Sequence, residues 1–257
     1  MQNLILNPKD NEVVVIKDKN SNYTINIKEN THVQILEYDI LNSQVNLNVA
    51  KYGNAKYDVL NVSTSNVKRH FVLNKNAEVK MNTVNLSVLT DNTVVDLDGD
   101  YARYDVENLA IISGGNQIVK TTTNHNAHNG VSKVYNIGVA IENAEILFDT
   151  TGAVQKDMEI NDCRQLSKGI VIGENAKITE RPILLIDNYN VSAYHGASIG
   201  KMSEEQLFYL MSRGISKKDA FMLILNGLIA PFLANIADEA KKAEADMAIK
   251  SLLEEAE

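Results

Sequence analysis

Short segments of alternating apolar and polar residues dominate about the first 180 residues of the chain. In Tyr23–Ile27 and Val45–Val49 every second residue is apolar, which is the period-2 pattern of a β-strand with one buried face. Further segments of this kind are Glu12–Ile16, His32–Leu36, Tyr57–Val62, Asp105–Ile112, Val134–Ile141 and Glu145–Phe148. No helical periodicity longer than a turn or two precedes residue 200, so the pattern predicts a mainly β domain over residues 1–200.

A five-residue phrase recurs between these segments. Lys75–Val79, Glu142–Ile146 and Glu174–Ile178 each contain a polar residue, Asn, Ala, a charged residue and an aliphatic residue, in that order. A small residue at a tight corner followed by an inward-pointing aliphatic residue suits the stacked coils of a solenoid. In addition, 29 of the 31 asparagines precede residue 191, and stacked Asn amides can hydrogen-bond along a solenoid axis. The pattern favours a parallel β-helix without a fixed repeat length, and a β-sandwich is the alternative.

Helical spacing begins after residue 200. Ser203–Gln206 is a capping box that starts a first helix, and Gly214 provides a stop after it. Ser216 starts a second helix, which Pro231 is expected to kink or end because proline lacks a backbone donor.

The last segment of the chain is rich in Ala, Glu and Lys. Ala237–Glu257 predicts a third helix that is largely exposed. The three helices together predict a small α-helical domain over residues 201–257, joined to the β domain without a flexible linker.

Composition and charge narrow the possible functions. There are 25 Lys and Arg against 33 Asp and Glu, and the resulting net charge of −8 disfavours general binding to nucleic acid or to an anionic membrane. One cysteine excludes an internal disulfide and the multi-cysteine zinc frameworks. The first residues lack the basic and apolar regions of a secretory signal, and the apolar stretch Phe221–Leu233 is too short to span a membrane. These features predict a soluble cytoplasmic protein.

Motifs for phosphate binding and nucleophilic catalysis are absent from the sequence. Ser113–Asn116 is a glycine-containing turn without the Lys-Ser/Thr of a P-loop, and no G-x-S-x-G occurs. Asp96–Glu107 places acids at positions 1, 3, 5 and 12 of a calcium-loop template. Its sixth position is Tyr101 instead of glycine, so a solvated turn is preferred over a calcium site.

Histidine and cysteine side chains offer further metal-binding chemistry. His125 and His128 lie in a polar segment and suit zinc, but no third ligand is near them in sequence, so ordinary loop histidines are preferred. Cys163 is a single thiol in a polar stretch and is interpreted as incidental. His195 lies at the end of the β region, where a corner histidine bonded to the backbone is the simplest interpretation. These residues alone do not define a catalytic site.

Two ungapped segments carry a family resemblance. His195–Gly200 has the form H-G-A-x-x-G, and Gln206–Ile215 has the form Q-x-F-Y-L-x-S-R-G-I. Together they resemble the C-terminal signature of the SufB/SufD family, the scaffold proteins of Suf-type iron–sulfur cluster assembly. Weaker similarity extends the resemblance over about residues 120–230.

The resemblance implies a right-handed parallel β-helix followed by a short helical domain. It implies a non-enzymatic scaffold that pairs through its β-helix with a SufB-type chain or with a second copy of itself. It also implies that the C-terminal helices bind SufC, an ABC-type ATPase. The partner-binding residues that it indicates are Phe208, Tyr209, Arg213, Gly214 and Ile215, although most apolar residues of these helices are expected in the core. The chain is short for the family and is expected to lack an N-terminal helical domain.

Within the family, His195 followed by Gly196 is SufD-like, because SufB-type chains carry His-Glu there and a cysteine on the last coils. Counting back from Pro182 without gaps places Ser167 where that cysteine falls, and Cys163 lies four residues earlier. The resemblance implies that His195 is one ligand of a transient iron–sulfur cluster at a subunit interface. The partner supplies the thiolate, since clusters are usually held by thiolates, and this chain holds no cofactor tightly.

Two alternatives stay open. In the first, the chain is a purely structural subunit that joins its partner and the ATPase without touching iron or sulfur. In the second, it is a β-helix enzyme acting on an acidic polysaccharide. The second is disfavoured because no row of carboxylates or basic residues suited to a substrate groove is evident in the sequence.

Overall fold

Fourteen strands precede three helices within residues 2–254, which the computed structural model describes. The strands are β1 (Gln2–Leu6), β2 (Glu12–Ile16), β3 (Ser21–Ile27), β4 (His32–Tyr38), β5 (Ser43–Val49), β6 (Asn54–Asn61), β7 (Ser65–Leu73), β8 (Glu78–Asn85), β9 (Leu89–Leu97), β10 (Arg103–His125), β11 (Val131–Val154), β12 (Asn161–Ile172), β13 (Lys177–Ile186) and β14 (Val191–Gly200). The helices are α1 (Glu204–Ser212), α2 (Lys217–Asn235) and α3 (Glu239–Glu254).

The strands form two stacks in which every described pair is parallel. One stack contains β2, β4, β6 and β8, and the other contains β1, β3, β5, β7 and β9. The long strands β10 and β11 bend and run through both stacks, after which β12 and β14 continue the first and β13 the second. The result is a β-solenoid of about six turns. This confirms the predicted parallel β-helix and excludes the sandwich, which is built from antiparallel sheets.

The coils lengthen along the chain. Stacked asparagines on neighbouring coils show the number of residues per coil, because their side chains hydrogen-bond along the solenoid axis at 2.7–3.1 Å. The pairs are Asn3–Asn22, Asn61–Asn85, Asn108–Asn136 and Asn143–Asn175, which lie 19, 24, 28 and 32 positions apart. The predicted asparagine stacking and the absence of a fixed repeat length are both confirmed.

Residues with left-handed backbone conformation make the corners. Six asparagines have φ between 47° and 61°: Asn11, Asn20, Asn30, Asn42, Asn76 and Asn129. Asparagine tolerates this region better than most residues because its short amide can bond locally. Gly114 and Gly115, with φ of 72° and 81°, bend β10 at the point where it passes from one stack to the other. In the recurring phrase, Ala77 and Ala144 are fully buried, as stacked corners require.

The interior of the first coils is mainly apolar and contains one buried ionic group. Arg69 lies between two carboxylates, with Nε 3.0 Å from Glu37 Oε2, Nη2 bonded to Glu37 Oε1 and Nη1 2.5 Å from Asp91 Oδ1. The Tyr57 hydroxyl donates to Glu37 Oε2 at 2.5 Å. All four residues are buried. The guanidinium therefore compensates two charges that would otherwise be isolated in the interior.

Helices α2 and α3 cover the outer face of the first stack. Their apolar residues share one cluster with a row of strand residues that includes Leu60, Val84 and Leu109. The amide of Asn82 donates to the backbone oxygen of Phe232 at 3.2 Å and holds the end of α2 on the sheet. None of the helices within residues 2–254 is long and apolar enough to cross a membrane.

Two expectations about these helices require correction. Of the two outcomes expected at Pro231, a kink or an end, the structure excludes the end. Helix α2 continues to Asn235, because Ile229 and Phe232 on either side of the proline are buried in the shared cluster. Helix α3 is not largely exposed: Ala245, Ile249 and Leu253 form a buried stripe against the solenoid and α2. The last predicted residues of this helix, 255–257, lie outside the described residues.

Candidate functional site

His195 lies on β14, the last strand of the first stack. Its register partner on the preceding coil is Gln165, whose side chain is buried in the interior. His195 therefore faces the inner side of the solenoid. It is nevertheless exposed, because β14 pairs with β12 alone among the described strands. The simplest interpretation from the sequence, a corner histidine, does not describe this position. His195 lies within a strand, and its imidazole is exposed at the open C-terminal end of the solenoid.

Cys163 lies one coil below the open end, in the same stack. Its register partners are Ser132 on the coil below and Ala193 on the coil above, and its side chain is buried in the interior. The Sγ atom is 3.4 Å from the Ser132 hydroxyl. Burial raises the pKa of the Cys163 thiol, and hydrogen bonds from Ser132 and Thr123 offset this in part.

His125 is not the loop histidine that the sequence favoured. It ends β10 and is fully buried, with Nε2 2.8 Å from the Ser132 hydroxyl and Nδ1 3.0 Å from Asn161 Oδ1. Burial lowers the pKa of its imidazole. His128, by contrast, is in the following turn, exposed, and accepts the backbone N–H of Glu159 at 3.1 Å. The two histidines point to different environments and do not share a ligand.

The remaining inward-facing residues of the last coils are also polar. Ser167, where the family resemblance predicts the position of the SufB-type cysteine, is buried and accepts from Asn136 Nδ2 at 3.0 Å. Glu180 on β13 pairs in register with the buried Phe148 and therefore faces inward. Among residues 2–254, no donor lies within hydrogen-bonding geometry of either carboxylate oxygen, and both oxygens are shielded from solvent. Burial raises the pKa of Glu180 to about 7, and the nearby hydroxyls of Ser167 and Thr150 offset this only in part.

The acids of the calcium-loop template are held separately. Asp96 is on β9 and Glu107 on β10, with a turn between them in which Tyr101 has a φ of 65°. Their hydrogen-bond donors are His70 and Asn124 for Asp96, Asn126 for Asp98, His128 N–H for Asp100 and Asn235 for Glu107. This agrees with the preferred interpretation as a turn. Among residues 2–254, no three His, Cys, Asp or Glu side chains are grouped so as to hold a metal ion.

Helix α1 presents an exposed aromatic surface. The Ser203 hydroxyl accepts from the Gln206 N–H at 3.3 Å and starts the helix, and Gly214 follows its end with a φ of 87°, as predicted. Phe208 and Tyr209 are 73% and 57% exposed. The expectation that most apolar residues of these helices lie in the core does not hold for α1, which has no buried residue, whereas α2 packs on the shared cluster.

The surface continues past the end of α1 and into a neighbouring groove. Arg213 stacks on the Tyr209 ring at 5.3 Å and is exposed together with Gly214, whereas Ile215 is partly buried. A groove of about 630 Å³ lies between α1 and the ends of β12 and β14. Its apolar lining residues include Phe208, Met211 and Phe221. The residues of the Q-x-F-Y-L-x-S-R-G-I segment thus contribute a surface patch rather than core packing.

Sequence reasoning found His195 and the α1 residues but missed three members of the interior cluster. Ser132, Asn161 and Glu180 lie on three different strands, β11, β12 and β13, and each is unremarkable in its own strand. The alternation of the strands could have indicated their orientation. Residues two positions apart in a strand face the same way, and Ser132 and Glu180 lie two positions from the buried Val134 and Ile178. Which residues of neighbouring coils meet depends on how the strands align. The sequence does not show this alignment, because the number of residues per coil varies.

The fold and these surfaces define a class of protein: a parallel β-helix with an exposed last coil and a C-terminal helical appendage. The family model for "SUF system FeS cluster assembly, SufBD core domain" matches residues 2–228. The chain belongs to this family.

Relatives with known names agree with this assignment. The iron–sulfur cluster assembly protein SufD of Bacillus subtilis (strain 168) is 32% identical over 158 residues, which cover 61% of this chain and 36% of that protein. SufD of Escherichia coli (strain K12) is 25% identical over 224 residues, covering 86% of this chain and 49% of that protein. SufB of Bacillus subtilis (strain 168) is 52% identical over 52 residues, 20% of this chain and 11% of that protein. The chain matches about half of the length of these relatives or less.

Proposed function

We propose that this chain is a non-enzymatic scaffold subunit of a Suf-type iron–sulfur cluster assembly complex in the cytoplasm. Family membership supports a part in Suf-type assembly. The observation that supports the scaffold role is the presence of two surfaces with exposed apolar residues, one at the open end of the solenoid and one on α1. Each suits a different class of partner.

The exposed face of α1 is the proposed contact for an ABC-type ATPase of the SufC kind. Exposed aromatic residues next to an arginine are typical anchors of protein interfaces, and Phe208, Tyr209 and Arg213 form such a group. The groove beside Phe208 provides an apolar recess into which a partner side chain fits.

The open end of the solenoid is the proposed contact for a SufB-type chain or a second copy. Strands β13 and β14 each have one neighbour among the described strands, so each leaves an unpaired edge that is a template for a further strand. Apolar residues accompany these edges: Ile183, Leu185 and Tyr194 are 41%, 57% and 44% exposed. Pairing there would bury them and would enclose His195 between two subunits.

His195 is the proposed ligand of a transient cluster in that enclosure, with the partner supplying thiolate. Closure of two ATPase subunits would pull on the helices and shift the paired solenoids, exposing the ligands. Such coupling requires that the paired solenoids make different contacts with the ATPase before and after the shift.

The ATPase contact is tested by light-scattering mass after size exclusion, with this chain mixed with the Suf-type ATPase of its own source. The variant Phe208→Ala/Tyr209→Ala should weaken the complex by at least about tenfold, because buried interface aromatics each contribute on the order of 2 kcal/mol. Met247→Ala, at an exposed apolar residue of α3, is the matched control and should bind normally. Equal binding by both variants would contradict the assignment of the α1 surface.

The cluster ligand is tested by His195→Ala in the assembled complex, with His32→Ala as a control at an exposed histidine on β4. Loss of a direct ligand should lower bound iron and sulfide at least about tenfold while leaving the complex intact. Unchanged iron content would favour the alternative of a purely structural subunit.

A further inference from the structure

A polar cavity of about 410 Å³ lies where the end of α2 meets the outer face of the first stack. Its lining includes a row of residues that are in register on neighbouring coils: Asp58 on β6, Asn82 on β8 and Glu107 on β10. Neighbouring strands in such a row are about 4.8 Å apart. Asn235, the last residue of α2, lines the same cavity. The row and the helix end thus place several oxygen-bearing groups around one space.

Buried oxygen atoms without a partner distinguish this cavity. Asp58 is 2% and Asn82 is 5% exposed, and Oδ1 of each accepts no hydrogen bond within residues 2–254. The amide of Asn82 is oriented by its donation to Phe232 O at 3.2 Å, so Oδ1 is the free acceptor. Asp105, which also lines the cavity, has a further Oδ1 of this kind. Buried polar atoms are normally paired, so a group that complements these acceptors has to be a donor or a cation.

Lys56 shows which kind of group this cavity attracts. Its ammonium donates to the backbone oxygen of Asn235 at 2.8 Å and lies 3.5 Å from Asp58 Oδ2. The side chain of Lys56 is 47% exposed, so the ammonium reaches in from solvent over the buried carboxylate of Asp58. A lysine side chain is flexible and its ammonium is strongly hydrated in water. A cation of higher charge can therefore displace it into solvent.

The negative charge of Asp58 is only partly compensated. Burial raises the pKa of Asp58, and the Lys56 ammonium and a hydrogen bond from Gln34 offset this in part. The end of α2 adds partial negative charge, because the last carbonyl groups of a helix have no partner within it. A cation between Asp58 and the helix end would stabilise both.

We propose that this cavity binds a hard divalent cation of the calcium type, with ligands from Asp58, Asn82, Glu107 and the end of α2. Calcium accepts carboxylate, amide and backbone carbonyl oxygens together in flexible arrangements, and water completes its shell. The row supplies two carboxylates and one amide oxygen, and Asn235 supplies a backbone oxygen once Lys56 has moved away. Only two ligands are acidic, so the site does not need the group of three His, Cys, Asp or Glu side chains that residues 2–254 lack.

Such a cation would connect two parts of the molecule. Asp58, Asn82 and Glu107 belong to the solenoid, whereas Asn235 ends α2. Asn235 Nδ2 already donates to Glu107 Oε2 at 3.3 Å, and the cation would add a second connection beside it. Bound cation therefore fixes the end of α2 on the sheet. Glu107 is the only acid that this site shares with the calcium-loop template in the sequence.

Terbium luminescence tests the site in the intact chain, because Tb³⁺ occupies calcium sites and is excited through a nearby tyrosine. Tyr135 is the register partner of Glu107 on β11 and provides that tyrosine. Ca²⁺ should displace the bound Tb³⁺. Asp58→Asn should weaken Ca²⁺ binding by at least about tenfold, since loss of a residue that merely orients a metal ligand already costs that much. This variant is expected to fold, because burial disfavours the charge that it removes.

Glu78→Gln is the matched control. Glu78 lies on β8 like Asn82, but it pairs with Lys80 at 3.1 Å and is outside the row. The variant removes one charge from the same surface and should leave the Ca²⁺ affinity nearly unchanged. Lys56→Met should strengthen Ca²⁺ binding, because it removes the competing ammonium. If Asp58→Asn is unfolded by circular dichroism, Glu107→Gln at an exposed member of the row replaces it, with the same weakening expected.

Absence of terbium luminescence that Ca²⁺ displaces would overturn the proposal. Equal weakening by Glu78→Gln and by the variant of the row would overturn it as well, since that result indicates diffuse attraction to an acidic surface. Stronger competition by Mg²⁺ than by Ca²⁺ would contradict a site of the calcium type. None of these measurements involves the ATPase or a second scaffold chain, so the inference stands or falls separately from the proposed function.

Discussion

Arg69 and its two carboxylates show how much single residues inside a solenoid depend on their neighbours on other coils. Glu37, Arg69 and Asp91 belong to β4, β7 and β9, and all are buried. Two negative charges and one positive charge are thus removed from water together, with the Tyr57 hydroxyl as an additional donor. A charge left alone there would carry its full desolvation penalty.

We predict that Arg69→Leu lowers the free energy of unfolding by about 3–5 kcal/mol, because it leaves Glu37 and Asp91 without a counter-charge. Arg181→Leu is the matched control, since Arg181 pairs with Asp149 at 2.6 Å but is 54% exposed, and it should change stability by less than about 1 kcal/mol. Urea denaturation followed by circular dichroism measures both. Similar small losses in the two variants would show that the interior group does not need its cation.

Glu180 is a second single residue that affects stability, and its effect depends on pH. Its pKa of about 7 lies above the ordinary value of 4.5, so between these values the folded chain holds a proton that the unfolded chain has released. Stability from this group is present below about pH 4.5 and is lost as the pH rises through 7.

We predict that Glu180→Gln removes that loss and is more stable than the natural chain at pH 8 by on the order of 1–2 kcal/mol, with little difference at pH 4.5. Unfolding curves across this range are compared with Glu174→Gln, at an exposed glutamate of the preceding turn. A pH-independent difference between Glu180→Gln and the natural chain would rule out the buried ionisation.

At the scale of elements, the strands were predicted well because alternation is a local property. Strand β2 has the bounds that the pattern indicates, and β3 and β5 bury every second residue. The helix start at Ser203 and the stop at Gly214 were likewise readable, since caps depend on residues three or four apart.

The elements that were misjudged are those whose neighbours are distant in sequence. The second helix passes through Pro231 because burial of Ile229 and Phe232 outweighs the missing backbone bond. The third helix has only a modest apolar stripe, but Ile249 and Leu253 fit against strand residues more than a hundred positions away. Local propensity does not contain this information.

At the scale of the whole molecule, the solenoid changes in character from one end to the other. The early coils are short and filled by apolar and aromatic side chains such as Tyr57 and Phe71. The later coils are longer and place Cys163, Gln165 and Ser167 inward on a single strand. Polar and thiol side chains in the interior are therefore concentrated towards the open end, where the proposed partner binds and where His195 lies.

The sequence by itself determined the strand-rich and helix-rich parts, the asparagine-rich corners and the family signature around His195 and α1, and it favoured a parallel β-helix over a sandwich. Each depends on residue type at short spacing, which the chain displays directly. Tertiary structure alone decided that His125, Ser132, Asn161 and Cys163 meet. Stacking brings together residues that are one coil apart. Because the coils lengthen from 19 to 32 positions, the sequence does not show which residues are one coil apart.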